Sequence, residues 1–135
     1  MSFEELDHTA DFLFRCRGKT IDELFAETAA AMFSIMFECR DKNDIKKEIV
    51  LSSDSYENLL FDFLSELLFL SETENIVFSD VDVKIKDNSI TASVFGEKFN
   101  REKHCGGTEI KGISRSGVNI IKTGDNYQVD IIFDV

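Results

Sequence analysis

Acidic residues mark both ends of this 135-residue chain. Near the start, Asp7-His8-Thr9-Ala10-Asp11 interrupts a stretch that otherwise alternates like a strand. At the finish, Asp134-Val135 closes the apolar run Ile131-Ile132-Phe133, and the last residue adds an α-carboxylate. These are hard oxygen donors, suited to Ca²⁺ or Mg²⁺ rather than to a soft metal. If the two end strands run side by side, the oxygens converge on one point and form a cation site. The same residues also fit plainer roles, Asp11 capping a turn and Asp134 solvating a chain end. His8 is close enough in sequence to orient Asp11, as histidines and carboxylates support one another around metals.

Other chemistry is thinly supplied. A metal-dependent hydrolase needs a base or nucleophile near its metal, and besides His8 the chain holds a single other histidine, His104. His104 stands next to Cys105 before Gly106-Gly107. A His104/Cys105 nucleophilic pair is conceivable, but sequence neighbours rarely form the working geometry. The glycine pair lacks the spacing of a phosphate-binding loop. Asp62 and Glu66, one turn apart, look like the wet strip of an otherwise apolar helix.

The elements that must position these groups follow from periodicity. Residues 3–17 alternate on either side of the acidic turn, with Phe12, Phe14 and Cys16 on one face. Gly18 ends the strand, and Thr20 with Glu23 forms a capping box for a helix whose apolar stripe runs from Ile21 through Leu24, Phe25, Thr28, Met32 and Ile35 to about residue 37. A polar loop over 38–47 leads to a short strand over 48–52. Asp54 and Glu57 signal a second helix start, followed by Leu59, Leu60, Phe63, Leu64, Leu67 and Leu68 to about residue 70. That helix is apolar nearly all round and must be well covered. Residues 77–86 alternate, Asp87-Asn88 turns the chain into a strand over 90–95, 109–121 reads as a strand, and Gly124-Asp125-Asn126 turns it into a last strand over 127–135. The order β-α-β-α-β-β-β-β is α+β: a single two-layer domain over residues 1–135, with two helices on a mixed or antiparallel sheet.

Composition narrows the function classes. With 43% apolar residues, 13 Phe and no Pro, the chain can bury a full core. No apolar run reaches the roughly 20 residues of a membrane span, and no signal peptide opens the chain, so a cytoplasmic protein without membrane contact is expected. Three cysteines, Cys16, Cys39 and Cys105, lack any CxxC pairing and read as reduced thiols. A formal net charge of −11 argues against direct nucleic-acid binding, which needs a basic stripe, and favours a cation or a basic protein as partner.

The residues also resemble a family. Leu6-Asp7-His8-Thr9-Ala10-Asp11 is similar to the opening signature of the archeases, and the likeness continues through Gly18-Lys19-Thr20, Ala31-Met32-Phe33 and Leu59-Leu60-Phe61-Asp62-Phe63-Leu64-Ser65-Glu66. It runs on through Phe78-Ser79-Asp80, Gly96-Glu97-Lys98-Phe99 and Gly107-Thr108-Glu109-Ile110-Lys111 to Ile132-Phe133-Asp134-Val135. The resemblance implies a small, acidic, non-catalytic accessory protein of the RtcB-type tRNA-splicing ligase. That ligase joins RNA ends bearing a 2′,3′-cyclic or 3′-phosphate to a 5′-hydroxyl with GTP and Mn²⁺, and the helper promotes its guanylylation and multiple turnover. The resemblance further implies a divalent-metal site, described with Ca²⁺ although Mg²⁺ or Mn²⁺ would also suit it, on Asp11, Asp134 and Val135. One departure stands out. After Glu109-Ile110-Lys111 the family usually continues with an aromatic residue and a His, whereas here Gly112-Ile113-Ser114-Arg115-Ser116 follows. A modulator of a tRNA-modifying enzyme, such as a tRNA methyltransferase, is the alternative, and a small metal-dependent phosphodiesterase is a third reading.

Overall fold

The alternation and helical stripes resolve, in a computed structural model, into β1 (Ser2–Leu6), β2 (Phe12–Gly18), α1 (Ile21–Met36), β3 (Ile45–Ser52), α2 (Tyr56–Glu74), β4 (Ile76–Lys86), β5 (Ser89–Lys98), β6 (Gly112–Ile113), β7 (Ile121–Thr123) and β8 (Asn126–Asp134). The structure describes residues 2–6, 11–38, 40, 43–104 and 106–135. Asp7, His8, Cys39 and Cys105 lie outside the described residues.

The strands form two antiparallel sheets rather than the single sheet expected. One runs β1-β2-β8-β6, with β7 also on β8, and the other runs β3-β5-β4. The reason lies in α1. Leu24, Thr28, Ala31 and Ile35 form one apolar stripe, and Phe25, Ala29, Met32 and Phe33 widen it round the helix, all of them buried. A helix apolar over that much of its circumference needs cover on two sides. It packs on β1, β2 and β8 and also on β4. Rings knit the elements together, Phe14 against Phe133 within one sheet, Phe33 against Phe78 and Phe25 against Phe63 between layers, with centroids 6.0, 5.7 and 6.1 Å apart. Aromatic pairs at such spacings add to the burial of their own area.

Local signals worked unevenly. Thr20 caps α1, its hydroxyl accepting from the Glu23 N–H at 3.1 Å. For α2 the cap is Ser55, which accepts from the Asn58 N–H, while Asp54 takes the Asn58 side-chain amide at 2.8 Å. The helix also runs one turn further than its leucine stripe, ending on Asn75 in the left-handed conformation (φ 54°). The largest correction concerns residues 109–121. Only Gly112–Ile113 and the start of β7 are strand there, because β6 and β7 share one edge of β8 and the chain between them leaves the sheet. Cys16 is fully buried, and burial pushes its thiol up to about 12, consistent with a packing role. No helix among the described residues is long and apolar enough to cross a membrane.

Candidate functional site

The two acidic ends meet through β2 and β8. Their antiparallel ladder pairs Gly18 with Tyr127 and ends at Phe12 opposite Phe133. Inner-face residues Phe14, Cys16, Val129, Ile131 and Phe133 are buried, which fixes the register, since a slip of one residue would turn this whole set outward. Asp11 and Asp134 are the next residues on each strand, so continuing the register sets them opposite one another on the outer face. On that face Arg15 already meets Asp130, the guanidinium donating at 2.9 and 3.1 Å. Partners facing each other in an antiparallel ladder have Cα atoms about 4.5–5.5 Å apart, and like charges there repel. Neither Asp11 nor Asp134 has an ion-pair partner among the described residues.

The other side of Asp134 is held by the segment that leads into β6. The Lys111 N–H donates to the Asp134 carbonyl at 2.7 Å, and Gly112 pairs with Asp134. A Cβ on Gly112 would make only an ordinary contact, 3.9 Å from the Asp134 carboxylate, so that flank of the carboxylate is open. Asp134 itself is exposed, and Asp11 and Val135 are partly so. Among the described residues no three His, Cys, Asp or Glu side chains group as metal ligands. Two carboxylates and the main-chain oxygens of Val135 are all hard oxygen donors, the ligand type a divalent cation such as Ca²⁺ takes.

His104 belongs elsewhere. It is buried, its Nδ1 accepts from the Asn100 N–H at 2.8 Å, and its Nε2 lies 2.5 Å from Glu97 Oε1. A main-chain N–H can only donate, so Nδ1 carries no proton and Nε2–H donates to the carboxylate. With both ring nitrogens engaged, His104 has none left to activate a thiol, and the nucleophilic pairing with Cys105 finds no support in its geometry. Glu97 also receives Lys103 Nζ at 2.8 Å. The Lys103 ammonium holds the Glu97 carboxyl below its ordinary range, against the opposing pull of burial and with help from His104. A depressed folded-state value contributes stability that is present above the unfolded value near 4.5 and is lost as pH falls through the folded one. Urea unfolding at pH 7, 5 and 3.5 should therefore show a loss of stability on acidification that is shallower in Glu97→Gln. An equal slope in both proteins would remove Glu97 from the acid response.

The comparisons with known proteins bear on the whole chain. Residues 3–135 match the model of the archease protein family. The chain belongs to the archease family. A protein archease of Methanosarcina barkeri is 40% identical over 139 residues, covering 98% of this chain and 95% of that protein. A Drosophila melanogaster protein named archease-like is 36% identical over 143 residues, covering 100% of this chain and 91% of the other. Among solved structures, Methanobacterium thermoautotrophicum protein 1598 superposes with a TM-score of 0.85 at 31% identity over 98% of each chain. An archease from Thermotoga maritima, titled a possible chaperone, shares the fold at a TM-score of 0.70 and 21% identity, over 98% of this chain and 96% of that one.

The archease-like positions are thus distributed unevenly over the structure. Asp11, Asp134 and Val135 lie at the same end of the β2–β8 pair, just beyond Phe12 and at and after the last residue of β8, whereas Asp7 and His8 lie outside the described residues. At the departure after Lys111, Arg115 lies over the Phe61 ring at 3.9 Å from its centroid and 3.8 Å from Asp62. The Ile120 N–H donates to Glu57 at 3.0 Å. The segment that differs from the archease pattern therefore lies against α2, while Asp62, expected on a wet strip, keeps 42% of its side chain exposed. Sequence reasoning missed this contact, because cation–π pairing between residues 54 apart leaves no local pattern.

Proposed function

We propose that this archease-family protein is a non-catalytic accessory factor that activates an RtcB-type tRNA-splicing ligase through a divalent cation on Asp11, Asp134 and Val135. The observation that supports the reading is the β2–β8 register, whose last pair, Phe12 with Phe133, leads on to Asp11 and Asp134. Facing carboxylates without a cationic side chain repel, and a bound cation removes that repulsion. When bound, the cation supplies a fixed positive charge that a nucleotide phosphate or a partner's carboxylate can join. Asp11 and Asp134 offer their oxygens at the ends of two paired strands. Lys111 fixes the Asp134 main chain, and Gly112 leaves the approach open. The chain's charge of −11 favours encounter with a basic enzyme surface. Ca²⁺ is the first candidate, with Mg²⁺ and Mn²⁺ also compatible with oxygen ligands.

The test is ligation by the host's own ligase with RNA substrate in excess over enzyme. Adding this protein should convert slow or single-turnover joining into repeated turnover and speed guanylylation of the ligase. Unchanged turnover of an otherwise competent ligase would sink the reading and turn attention to a tRNA-modifying partner.

A further inference from the structure

A second site lies at the joined C-terminal ends of the two helices. Here a cavity of about 400 Å³ opens, with apolar walls from Met36, Phe37, Ile76, Phe99 and Ile110. Pockets that hold ligands begin at roughly 300 Å³ and carry a few polar groups on mainly apolar walls. The charged side chains that line it are both acidic. Glu72 and Glu109 line the cavity and are exposed, and the Glu38 carboxylate lies against Gly106, which also lines it. None of the three has an ion-pair partner among the described residues.

Helix polarity adds to the same sign. Both α1 and α2 end at this cavity, on Phe37 and Asn75, and neither has a basic residue in its last turn. Helix C-termini carry partial negative charge that favours cations. Lys98 reaches one terminal carbonyl, that of Glu74, at 2.8 Å, but does not line the cavity. At the mouth Phe99 keeps 44% of its surface exposed, an aromatic face held by Phe37 and His104 behind it.

We propose that this cavity receives an arginine side chain, flanked by apolar residues, from a partner protein. The apolar walls suit the aliphatic stem and a neighbouring apolar residue, while the head group meets the carboxylate rim. An exposed aromatic face beside carboxylates suits a planar guanidinium, which stacks and donates in a fork, better than a compact ammonium. Topology places the cavity beside the proposed cation site. Ile110 lines the cavity, and Lys111 and Gly112 hold Asp134. Two residues of extended chain span about 7 Å. A partner anchored by its arginine would thus come near the Asp134 end of β8; only the partner's identity as a ligase rests on the function proposed above.

The cavity can be tested on the protein alone, by following backbone amide NMR shifts during titration with acetyl-Leu-Arg-Leu-amide. Shifts should concentrate on Phe37, Asn75, Phe99, Thr108 and Ile110. The same peptide with citrulline, neutral but of the same shape, should bind about tenfold more weakly, as should Arg peptide added to the Glu72→Gln/Glu109→Gln double variant. Both substitutions are at exposed positions and should leave the remaining spectrum intact. Shifts scattered over the acidic surface, equal binding of the citrulline peptide, or no shifts at the cavity would overturn the proposal. Any of these would leave ligase activation untouched as a separate question.

Discussion

Asp11→Ala should return ligase turnover to its unstimulated level while the protein stays folded. The two halves of this expectation have different causes. Asp11 lies just outside the β2–β8 ladder, is partly exposed and has no hydrogen-bond or ion-pair partner among the described residues, so its truncation should cost little. Substitutions of that kind change stability by about 0.5 kcal/mol or less. Removing one of two facing carboxylates even relieves repulsion where no cation is present. For a bound cation the consequence is severe. Loss of a residue that merely supports a metal ligand costs about 10–100-fold in affinity, and loss of a ligand should cost at least as much. Thermal melts with and without Ca²⁺ separate the two halves. Wild-type protein should melt higher with the metal and Asp11→Ala should not, while the metal-free melting temperatures of the two agree within a few degrees. A variant that stimulates the ligase normally would remove Asp11 from the mechanism.

The second large effect is structural, at Gly107. This residue has φ +79°, a region that favours glycine, and an added Cβ would come within 2.2 Å of the Met36 carbonyl oxygen and 2.6 Å of its carbon. Both are main-chain atoms at the end of α1 and cannot swing aside. The next residue completes the contact, the Thr108 N–H donating to the Ile35 carbonyl at 2.7 Å and satisfying one of the open carbonyls of the helix end. Backbone strain of this type costs about 1–3 kcal/mol, and forced overlap adds a similar amount. Gly107→Ala should therefore destabilise by about 2–6 kcal/mol, lowering the melting temperature by roughly 10–20 °C. Gly117 is a matched control, with φ +75° but nothing within 4 Å of its would-be Cβ. Gly117→Ala should show the strain alone, about 1 kcal/mol. Equal losses at both positions would mean that the Gly107 loop does not brace α1.

What the sequence disclosed, and what it hid, follows from the range of the interactions. Alternation at Phe12, Phe14 and Cys16, and again at Val129, Ile131 and Phe133, is a local pattern that survives into the buried face of β2 and β8. Once those faces must be inward, the placing of Asp11 and Asp134 follows from counting residues. The Thr20 cap is equally local. The division into two sheets was not legible, because it depends on which surfaces cover both sides of α1, a property of the assembled chain. Residues 109–121 read as a strand from their composition, yet a strand needs an edge to pair with. β7 occupies one end of the β8 edge, leaving Gly112 and Ile113 the other. Ser55 displaced Asp54 as a cap by one residue, within the usual uncertainty of helix ends. The Glu97–His104 bond joins residues seven apart across a strand end and loop, and the cavity forms only where the ends of two helices and the loop beyond β5 come together. Neither leaves a periodic trace.

The most direct measurement is a calorimetric titration of Ca²⁺ into the metal-free protein, with Asp11→Ala in parallel. The account predicts one saturable site on the wild-type chain, weakened by two orders of magnitude or abolished in the variant, as expected for the loss of a ligand. No saturable heat in the wild-type protein, or the same binding curve in both, would contradict it.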